Sequence, residues 1–553
     1  MTATAPLPVD AAGDQVPRLA GLDLVGSDLA LVDALRAHGA AAHEPALREL
    51  GARAGSTALL DAGFDANEHP PRHVPYDRSG ARVDDIAFHP SWHRVLRLAV
   101  EAGVAGGVWA DERPGAHVAR AAGFIAIAQA EAGVTCPIAM TCASVPALRL
   151  DDDVAATWVP LVTSGRYDTR PLPAHEKEGA LVGMALTERA GGSDVRRCTT
   201  TAVHEGDGAW RVTGEKWFVS AVQSDALFVL AQTGEGLSCL LVPRRRADGS
   251  RNGMRIDRLK DKLGNRSNPT AEVELRDAEA QLVGEAGHGV RAIMRMIAGT
   301  RLDCVLGSAA VMRLGTSEAI HWCTHRSAFG RRLVDQPAMT AVLADLALES
   351  EAAAWSGLAL ARAAEDAARG DATAAALRRL ALPALKLWVC KRAPAHLGEA
   401  LECLGGFGYV EESRLPRAYR EAPLMSVWEG SGNVQALDVV RALAREPESA
   451  QAVVDELDRA RGASRRLDAA VDALRDDLRT DGGLEEARAR EVAGRLARCF
   501  QAAQLVRHAP SFVADAFCAT RLGDGDPGMA GALPRGLDVQ AIVDRAAPQR
   551  EAA

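Results

Sequence analysis

No stretch of this 553-residue chain approaches 18 consecutive uncharged apolar residues, so no transmembrane helix is expected. The N-terminal MTATAPLPVDAAGDQVPRL lacks both the basic region and the apolar region of a secretory signal, which makes the expected location cytoplasmic. Positive charge is not in excess: 64 Lys and Arg stand against 73 Asp and Glu, a formal net of −9. Any polyanion would therefore have to be met by a local basic surface. The ten cysteines include no C-x-x-C pair, which leaves a metal site and a disulfide framework without support and predicts small buried hydrophobes instead. His89 and His93 fall at i, i+4, but no glutamate stands between them as in the H-E-x-x-H pattern, so they are read as structural and no metal is expected.

Apolar residues at 48% and charged residues at 25% are ordinary for a globular protein and exclude a disordered scaffold. At this length two to four domains are expected. Residues up to Leu60 are Ala/Leu-rich, with a helical stripe following the possible cap Ser27. From Asp61 to Ser91 the crowding of Pro, Gly, Asp and His predicts a long irregular segment, lying across the surface or at a subunit contact. Helical periodicity returns over 92–131 and 144–164. Between 181 and 284, short runs rich in Val, Leu, Phe and Trp, separated by Gly, Asp and Asn, predict antiparallel strands. Long helical patterns follow Gly287 and cover 336–368 and 371–403, and the tail is again helical. The expected fold is thus mostly α with a central antiparallel β domain. Its parts are an N-terminal helical domain at 1–180 with the Pro-rich segment, a β domain at 181–284, a helical bundle at 285–441 and a C-terminal helical domain at 442–553.

Three places put breakers and polar side chains in apolar surroundings. In MALTERAGGSD, the Thr187 and Ser193 hydroxyls and the amides around Gly191 and Gly192 can donate to carbonyl or phosphate oxygens, or the segment is a tight turn without a ligand. Gly405-Gly-Phe-Gly408 follows a helix and reads as a C-cap and turn, outside the strand-turn-helix context of a dinucleotide fingerprint. In WEGSGN, Ser431 or Asn433 can cap the next helix, whose N-terminal amides form an anion site. Glu429, beside Trp428 and after apolar PLMSV, would have a raised pKa if buried, which suits a general base; the alternative is an exposed carboxylate at the helix start. Arg326, in HRSAFG, could pair with a phosphate.

Together, MALTERAGGSDV, GEKWFVS, KLGNRSNPTAEVEL, HRSAFG, LECLGGFGY and WEGSGN resemble the motifs of the acyl-CoA dehydrogenase flavoprotein family over roughly 92–441. The FHPSWH segment, RLKDKLGNRSN and the C-terminal helical extension resemble a branch of that family tied to the response to DNA alkylation. The resemblance implies a helical, β and helical-bundle order, FAD as cofactor and an oligomer, most simply a homotetramer. It places Met184, Leu186, Thr187 and Ser193 against the flavin, with Phe218 beside the ring and Ser220 near its reactive nitrogen. It sends Arg326 and Phe329 to the FAD of a neighbouring subunit, and lays Trp428, Ser431 and Asn433 along the pyrophosphate and ribose. Glu429 falls on the commonest base position; the alternative base position aligns with Thr300, which has no group to serve.

The same branch implies double-stranded DNA binding with weak acyl-CoA dehydrogenase activity. Residues 442–553 carry 16 Arg, no Lys and 19 acidic residues, so they form no basic arm. Arg459, Arg461, Arg465, Arg466, Arg475 and Arg479 nevertheless cluster closely enough to line helices, and Arg441 matches a position tied to DNA binding in the family. Asp455, Asp458, Asp468 and Asp472 lie three or four residues from arginines, and intrahelical pairs account for the cluster equally well. The alternative function is a metabolic acyl-CoA dehydrogenase whose C-terminal domain is structural.

Overall fold

The computed structural model describes residues 15–206, 209–478, 484–523 and 528–549; Arg479 lies outside them. The N-terminal part carries α1 (Leu29–Ala37), α2 (Glu44–Ala54), α3 (Thr57–Glu68), the strands β1 (Arg72–Tyr76) and β2 (Arg82–Ala87), then α4 (Pro90–Glu101), α5 (Ala116–Ala130), α6 (Thr135–Leu148) and α7 (Asp152–Thr163). Asp28 rather than Ser27 caps α1, accepting from the Leu31 amide. The irregular segment expected over 61–91 is instead mostly regular. Its first residues complete α3, which Ser56 caps and whose Leu59, Leu60, Ala62 and Ala66 are buried at helical spacing. The remainder forms the β1–β2 hairpin, where the Asp77 carboxylate accepts from the Ser79 and Ala81 amides at 2.8 and 2.9 Å. The polar residues thus belong to one tight turn and one helix end. α5 and α6 are buried around almost their whole circumference, and α6 is the helix on which β3 and β6 of the next domain pack.

The β domain contains β3 (Val182–Ala185), β4 (Thr201–Gly206), β5 (Ala209–Ser220), β6 (Ala226–Thr233), β7 (Gly236–Pro243), β8 (Met254–Leu259) and β9 (Thr270–Leu282). The strand order is β3-β6-β4-β5-β9-β7, and because β7 also pairs with β6 the sheet closes on itself, with β8 attached to β9. Most ladders are antiparallel, as expected. The β3–β6 ladder is parallel, from Val182↔Ala226 to Ala185↔Val229, because the long segment between these strands supplies the crossover that parallel pairing needs. β6 explains why its sequence is continuously apolar. Leu227, Val229 and Ala231 face the interior of the closed sheet, while Ala226, Phe228 and Leu230 face α6, α7 and the helix that follows the domain.

That helix, α8 (Gly289–His325), packs with α9 (Pro337–Ala368) and α10 (Ala372–Cys403) as the bundle, followed by α11 (Leu415–Glu421), α12 (Leu424–Val427) and α13 (Gly432–Arg445). The tail forms α14 (Glu448–Asp458), α15 (Arg465–Leu478), α16 (Ala489–His508), α17 (Ser511–Arg521) and α18 (Val539–Ala546). Gly462, at φ 84°, separates α14 from α15 within a run whose sequence reads as continuously helical. Phe500, Phe517 and Ile542 of the tail join the same apolar core as Trp355 and Leu385 of the bundle and Leu31 and Leu35 of α1. Buried ion pairs specify this docking, Arg521 with Asp345 and Glu349 and Arg545 with Glu351 at 2.9 Å, and Arg545 also reaches the partly exposed Asp33 at 2.8 Å. Nine of the cysteines are buried and Cys198 is half-buried, all as free thiols. No described helix is long and apolar enough to cross a membrane.

Candidate functional site

The turn after β3 is held by a residue that the sequence reading passed over. Glu188 is buried and accepts from Lys216 Nζ at 2.7 Å, the Thr200 hydroxyl at 2.6 Å, the Thr199 amide and hydroxyl at 2.7 and 2.8 Å, and Cys198 Sγ at 3.0 Å. Burial pushes this carboxyl up, but the Cys198, Lys216 and Thr200 hydrogen bonds outweigh it and hold the group well below the usual carboxylate range. Glu188 thereby fixes the preceding Thr187, whose carbonyl accepts from the Trp217 amide at 2.8 Å. Met184, Leu186 and Thr187 are half-buried, and Ser193 is exposed beyond the turn. A Cβ on Gly192 would lie 2.3 Å from Thr187 Oγ1, so glycine is required for the turn to pass this hydroxyl.

A β-bulge sets the second segment. Lys216 pairs with Val273 and Val219 with Ala271, so Trp217 and Phe218 together oppose the single residue Glu272. The bulge turns Phe218 outward, 52% exposed, with the Lys260 ammonium 4.4 Å from its ring centroid. Ser220 follows, half-buried, its Oγ 3.2 Å from Thr270 Oγ1. Behind Ser220 lies α6, whose Cys136 thiol faces Ser220, Asn268, Lys262 and, farther off, Glu429; burial pushes the thiol up to about 12. Met184, Leu186 and Trp428 pack against the apolar cluster that contains Cys136 and Met140. The first two motifs and WEGSGN, far apart in sequence, are thus gathered around one face of α6.

Glu429 sits between α12 and α13 with φ 58°, a left-handed conformation that costs about 1–2 kcal/mol for a residue with a Cβ. Four side-chain donors hold this turn. Arg301 Nε and Gln435 Nε2 donate to the Glu429 carbonyl at 3.1 and 3.0 Å, and Gln435 also reaches the Gly430 carbonyl at 3.1 Å. Lys386 Nζ donates to the Trp428 and Gly430 carbonyls at 2.7 and 2.6 Å. The Thr300 hydroxyl donates to Glu429 Oε2 at 2.8 Å. Burial raises the Glu429 pKa, against the Thr300 hydrogen bond and the Lys386 and Arg301 charges, as a base working near neutrality requires. Lys386 and Gln435 were missed at the sequence level. The available signal was a lone lysine in the apolar run LALPALKLWVC, which a buried helix tolerates only when the charge has partners.

The other predicted residues lie elsewhere. Ser431 occupies the N-cap position of α13, but its hydroxyl makes no capping bond, and Asn433 Oδ1 accepts from Arg490 of α16 at 2.8 Å. Arg326 ends α8, and the short hairpin beyond it turns through Phe329 and Gly330, both at positive φ, leaving Phe329 97% exposed. Along unbroken α8, Thr300 and His325 are about 38 Å apart, so this hairpin cannot serve the Glu429 of its own chain. Among the C-terminal arginines, Arg459 pairs with Glu456 at 3.2 Å, Arg461 with Asp472 at 3.0 Å, and Arg475 with Asp458. Arg441 is 55% exposed and only loosely paired with Asp438, at 3.4 Å, while Arg465 and Arg466 are exposed at the start of α15.

A helical domain, a closed sheet and a long-helix bundle therefore meet around a hydroxyl-bearing turn and a half-buried carboxylate. Family models place the chain more closely. Residues 14–169 match the adaptive response protein AidB N-terminal domain, 183–278 the acyl-CoA dehydrogenase middle domain and 287–444 the acyl-CoA dehydrogenase C-terminal domain. A putative acyl-CoA dehydrogenase AidB of Escherichia coli K12 is 43% identical over 498 residues, 90% of this chain and 91% of its own. Acyl-CoA dehydrogenase family member 11 of Caenorhabditis elegans is 32% identical over 406 residues, 68% of this chain and 63% of its own. The structure of Caenorhabditis elegans ACDH-11 in complex with C11-CoA superposes with a TM-score of 0.84 at 27% identity, covering 96% of this chain and 97% of that one. The chain belongs to the acyl-CoA dehydrogenase family and carries an AidB-type N-terminal domain.

Members of this family bind FAD, as in the structure of an acyl-CoA dehydrogenase of Bacillus anthracis complexed with FAD. The residues at the site fit such a group. Both side-chain polar atoms of Asn268, Trp428 Nε1 and Gln435 Oε1 are buried without a protein partner beside the Ser220 and Glu429 turns, as expected where a polar ring system completes the hydrogen bonding.

Proposed function

We propose that this protein binds FAD between the β domain and the helical bundle and removes the α-proton of an acyl-CoA thioester with Glu429. The observation that carries this reading is the Glu429 turn itself: a carboxylate with a raised pKa, on a left-handed residue clamped through its backbone by Arg301, Lys386 and Gln435. Bound FAD supplies the acceptor for the hydride that leaves the adjacent carbon. The protein's part is to hold Glu429 Oε2 by the Thr300 hydroxyl and to present the Thr187 and Ser220 hydroxyls, with Met184, Leu186 and Trp428 packing around them. Phe218, Ser193, Ser431 and Asn433 are proposed as outer cofactor contacts. The C11-CoA of the nematode structure makes a medium-length acyl-CoA the first ligand to test.

The protein is further proposed to be a cytoplasmic homotetramer. The nearly bare Phe329 and its distance from Glu429 along α8 support delivery of Arg326 and Phe329 to a neighbouring copy. We assign weak dehydrogenase activity together with duplex DNA binding in an alkylation response, through Arg441, Arg465 and Arg466 with Arg459 and Arg461 beside them. The exposure of the first three favours this reading, and the acidic partners of the last two make each copy's contribution small.

The deciding experiment combines the absorbance spectrum of the purified chain, its size in solution and flavin bleaching by an acyl-CoA series. A yellow oligomer whose bleaching is lost in Glu429→Gln is expected; a colourless chain that takes up no FAD would overturn the reading. Robust turnover on one acyl-CoA, without duplex binding, would favour the metabolic enzyme with a structural tail.

A further inference from the structure

Lys262 lies in the loop between β8 and β9 and donates to the Asn268 carbonyl at 2.6 Å and to Thr270 Oγ1 at 3.0 Å. Thr270 Oγ1 is in turn 3.2 Å from Ser220 Oγ. An ammonium group has donors only, so Thr270 must accept from Lys262. Thr270 is buried and, among the described residues, Ser220 is the one acceptor in reach of its hydroxyl proton, so Thr270 donates to Ser220 and the Ser220 proton turns away from this pair, where the Cys136 thiol also lies. The chain of bonds therefore runs one way, from lysine through threonine to serine.

We propose that Lys262 is a positioning residue that, through Thr270, polarises the Ser220 hydroxyl as a donor toward the bound flavin. This rests on the reading above, in which Ser220 faces the flavin's reactive nitrogen. That nitrogen is a bare acceptor in the oxidised ring and carries a hydrogen in the reduced one. A hydroxyl that accepts from a lysine-polarised threonine is the stronger donor, and such a donor suits the bare nitrogen of the oxidised ring more than the N–H of the reduced one, so the one-way chain favours oxidised FAD. Lys262 also fixes the backbone at Asn268, whose buried, unpartnered side-chain amide lies beside the same Cys136 thiol that Ser220 faces.

The groups around Lys262 are consistent with a lysine that stays charged near neutrality. It is faced by Cys136 from α6, Glu131 at the end of α5 and Glu421 from α11. Burial lowers its pKa to about 8, against these groups. Arg417 is a second cation facing Glu421 and Glu131.

The test is a double-mutant cycle on the FAD-loaded full chain, reading the midpoint potential of the bound flavin in wild type, Lys262→Met, Thr270→Val and the double variant. The direct effect of the lysine charge is the same with or without the threonine hydroxyl, so the cycle removes it and leaves what travels through Thr270. The expected result is that Lys262→Met changes the reduction equilibrium about tenfold differently in the two backgrounds, about 30 mV for a two-electron couple. Equal shifts in both backgrounds would overturn the proposal. Should Lys262→Met not load with FAD, Thr270→Val alone decides: it should raise the potential by weakening Ser220 as a donor, while Thr270→Ser keeps the wild-type value. A wild-type potential in Thr270→Val overturns the proposal. A wild-type chain that binds no FAD is a different outcome, because it removes the flavin reading itself.

Discussion

The Thr300 hydroxyl donates to the Glu429 carboxylate across 2.8 Å and so ties α8 to the turn before α13. The same hydroxyl has the Ile297 carbonyl at 3.1 Å, and its one proton serves one acceptor at a time. Toward an ionised Glu429 it donates. Toward a protonated Glu429 it can accept, turning its own proton to Ile297. Position 300 thus supports the base in both states without titrating.

Replacing Thr300 by Val removes a donor to the charged form of Glu429, and its already raised pKa should rise further. The base works deprotonated, so the acid limb of the pH profile should move upward, with α-proton exchange of a bound acyl-CoA about tenfold slower below the new pKa. Thr300→Ser should keep the wild-type profile. An acid limb that stays in place in the valine variant would show that this hydrogen bond does not reach the base.

Gly430, at φ 95°, completes the turn beside Glu429. A Cβ there would lie 2.7 Å from Gln435 Nε2 and 2.9 Å from Val434 Cγ1, displacing a donor that holds both carbonyls of the turn. Gly430→Ala should cost about 1–3 kcal/mol and misplace the carboxylate. Thermal unfolding and acyl-CoA proton exchange would both register it; a variant with wild-type Tm and exchange would mean the turn is not strained as described.

Glu421 is buried beside Glu131, with the Asn265 amide donating to its Oε2 at 2.9 Å, and burial together with Glu131 raises its pKa to about 7. Between its ordinary value and 7 the folded chain holds a proton that the unfolded chain has lost. The stability from this group is therefore complete below the unfolded pKa and is lost as pH rises through 7, up to about 3 kcal/mol. Glu421→Gln keeps a neutral group at every pH. Its stability relative to wild type should grow by about 2 kcal/mol between about pH 5 and pH 8 in denaturant titrations. A difference that does not depend on pH would place the titration elsewhere.

Arg441 projects from α13 beyond the flavin segment and is the most weakly paired of the assigned arginines that form ion pairs. Arg441→Glu should weaken duplex binding equally for all sequences and leave FAD content and assembly intact. The slope of log affinity against log salt should fall by about 0.9 for each phosphate that is no longer neutralised, summed over the copies that touch one duplex. Gel-shift titrations between about 50 and 200 mM salt measure this. Unchanged affinity would remove Arg441 from the DNA surface.

The element order, the three long bundle helices, most of the strands and the position of Glu429 were all legible along the chain. These depend on local periodicity and on motifs a few residues long, where each side chain's neighbours are also its neighbours in sequence. The 61–91 segment was misjudged because turn-forming residues say where a chain bends but not how tightly, and the same residues serve a helix end, a two-strand turn or a loop. What holds the site emerged only from the packing of distant segments. Lys386 lies 43 residues before the turn it clamps, Thr300 129 before the carboxylate it serves, and Glu188 is buried by strands on either side of it. A buried charge must find its partners wherever packing brings them, and nothing in the spacing of residues along the chain records that meeting. The tail was also settled in three dimensions. Its arginines look alike in sequence, yet Arg521 and Arg545 are buried ion-pair anchors while Arg465 and Arg466 face solvent, because only the docking of the tail helices onto α9 separates the two sets.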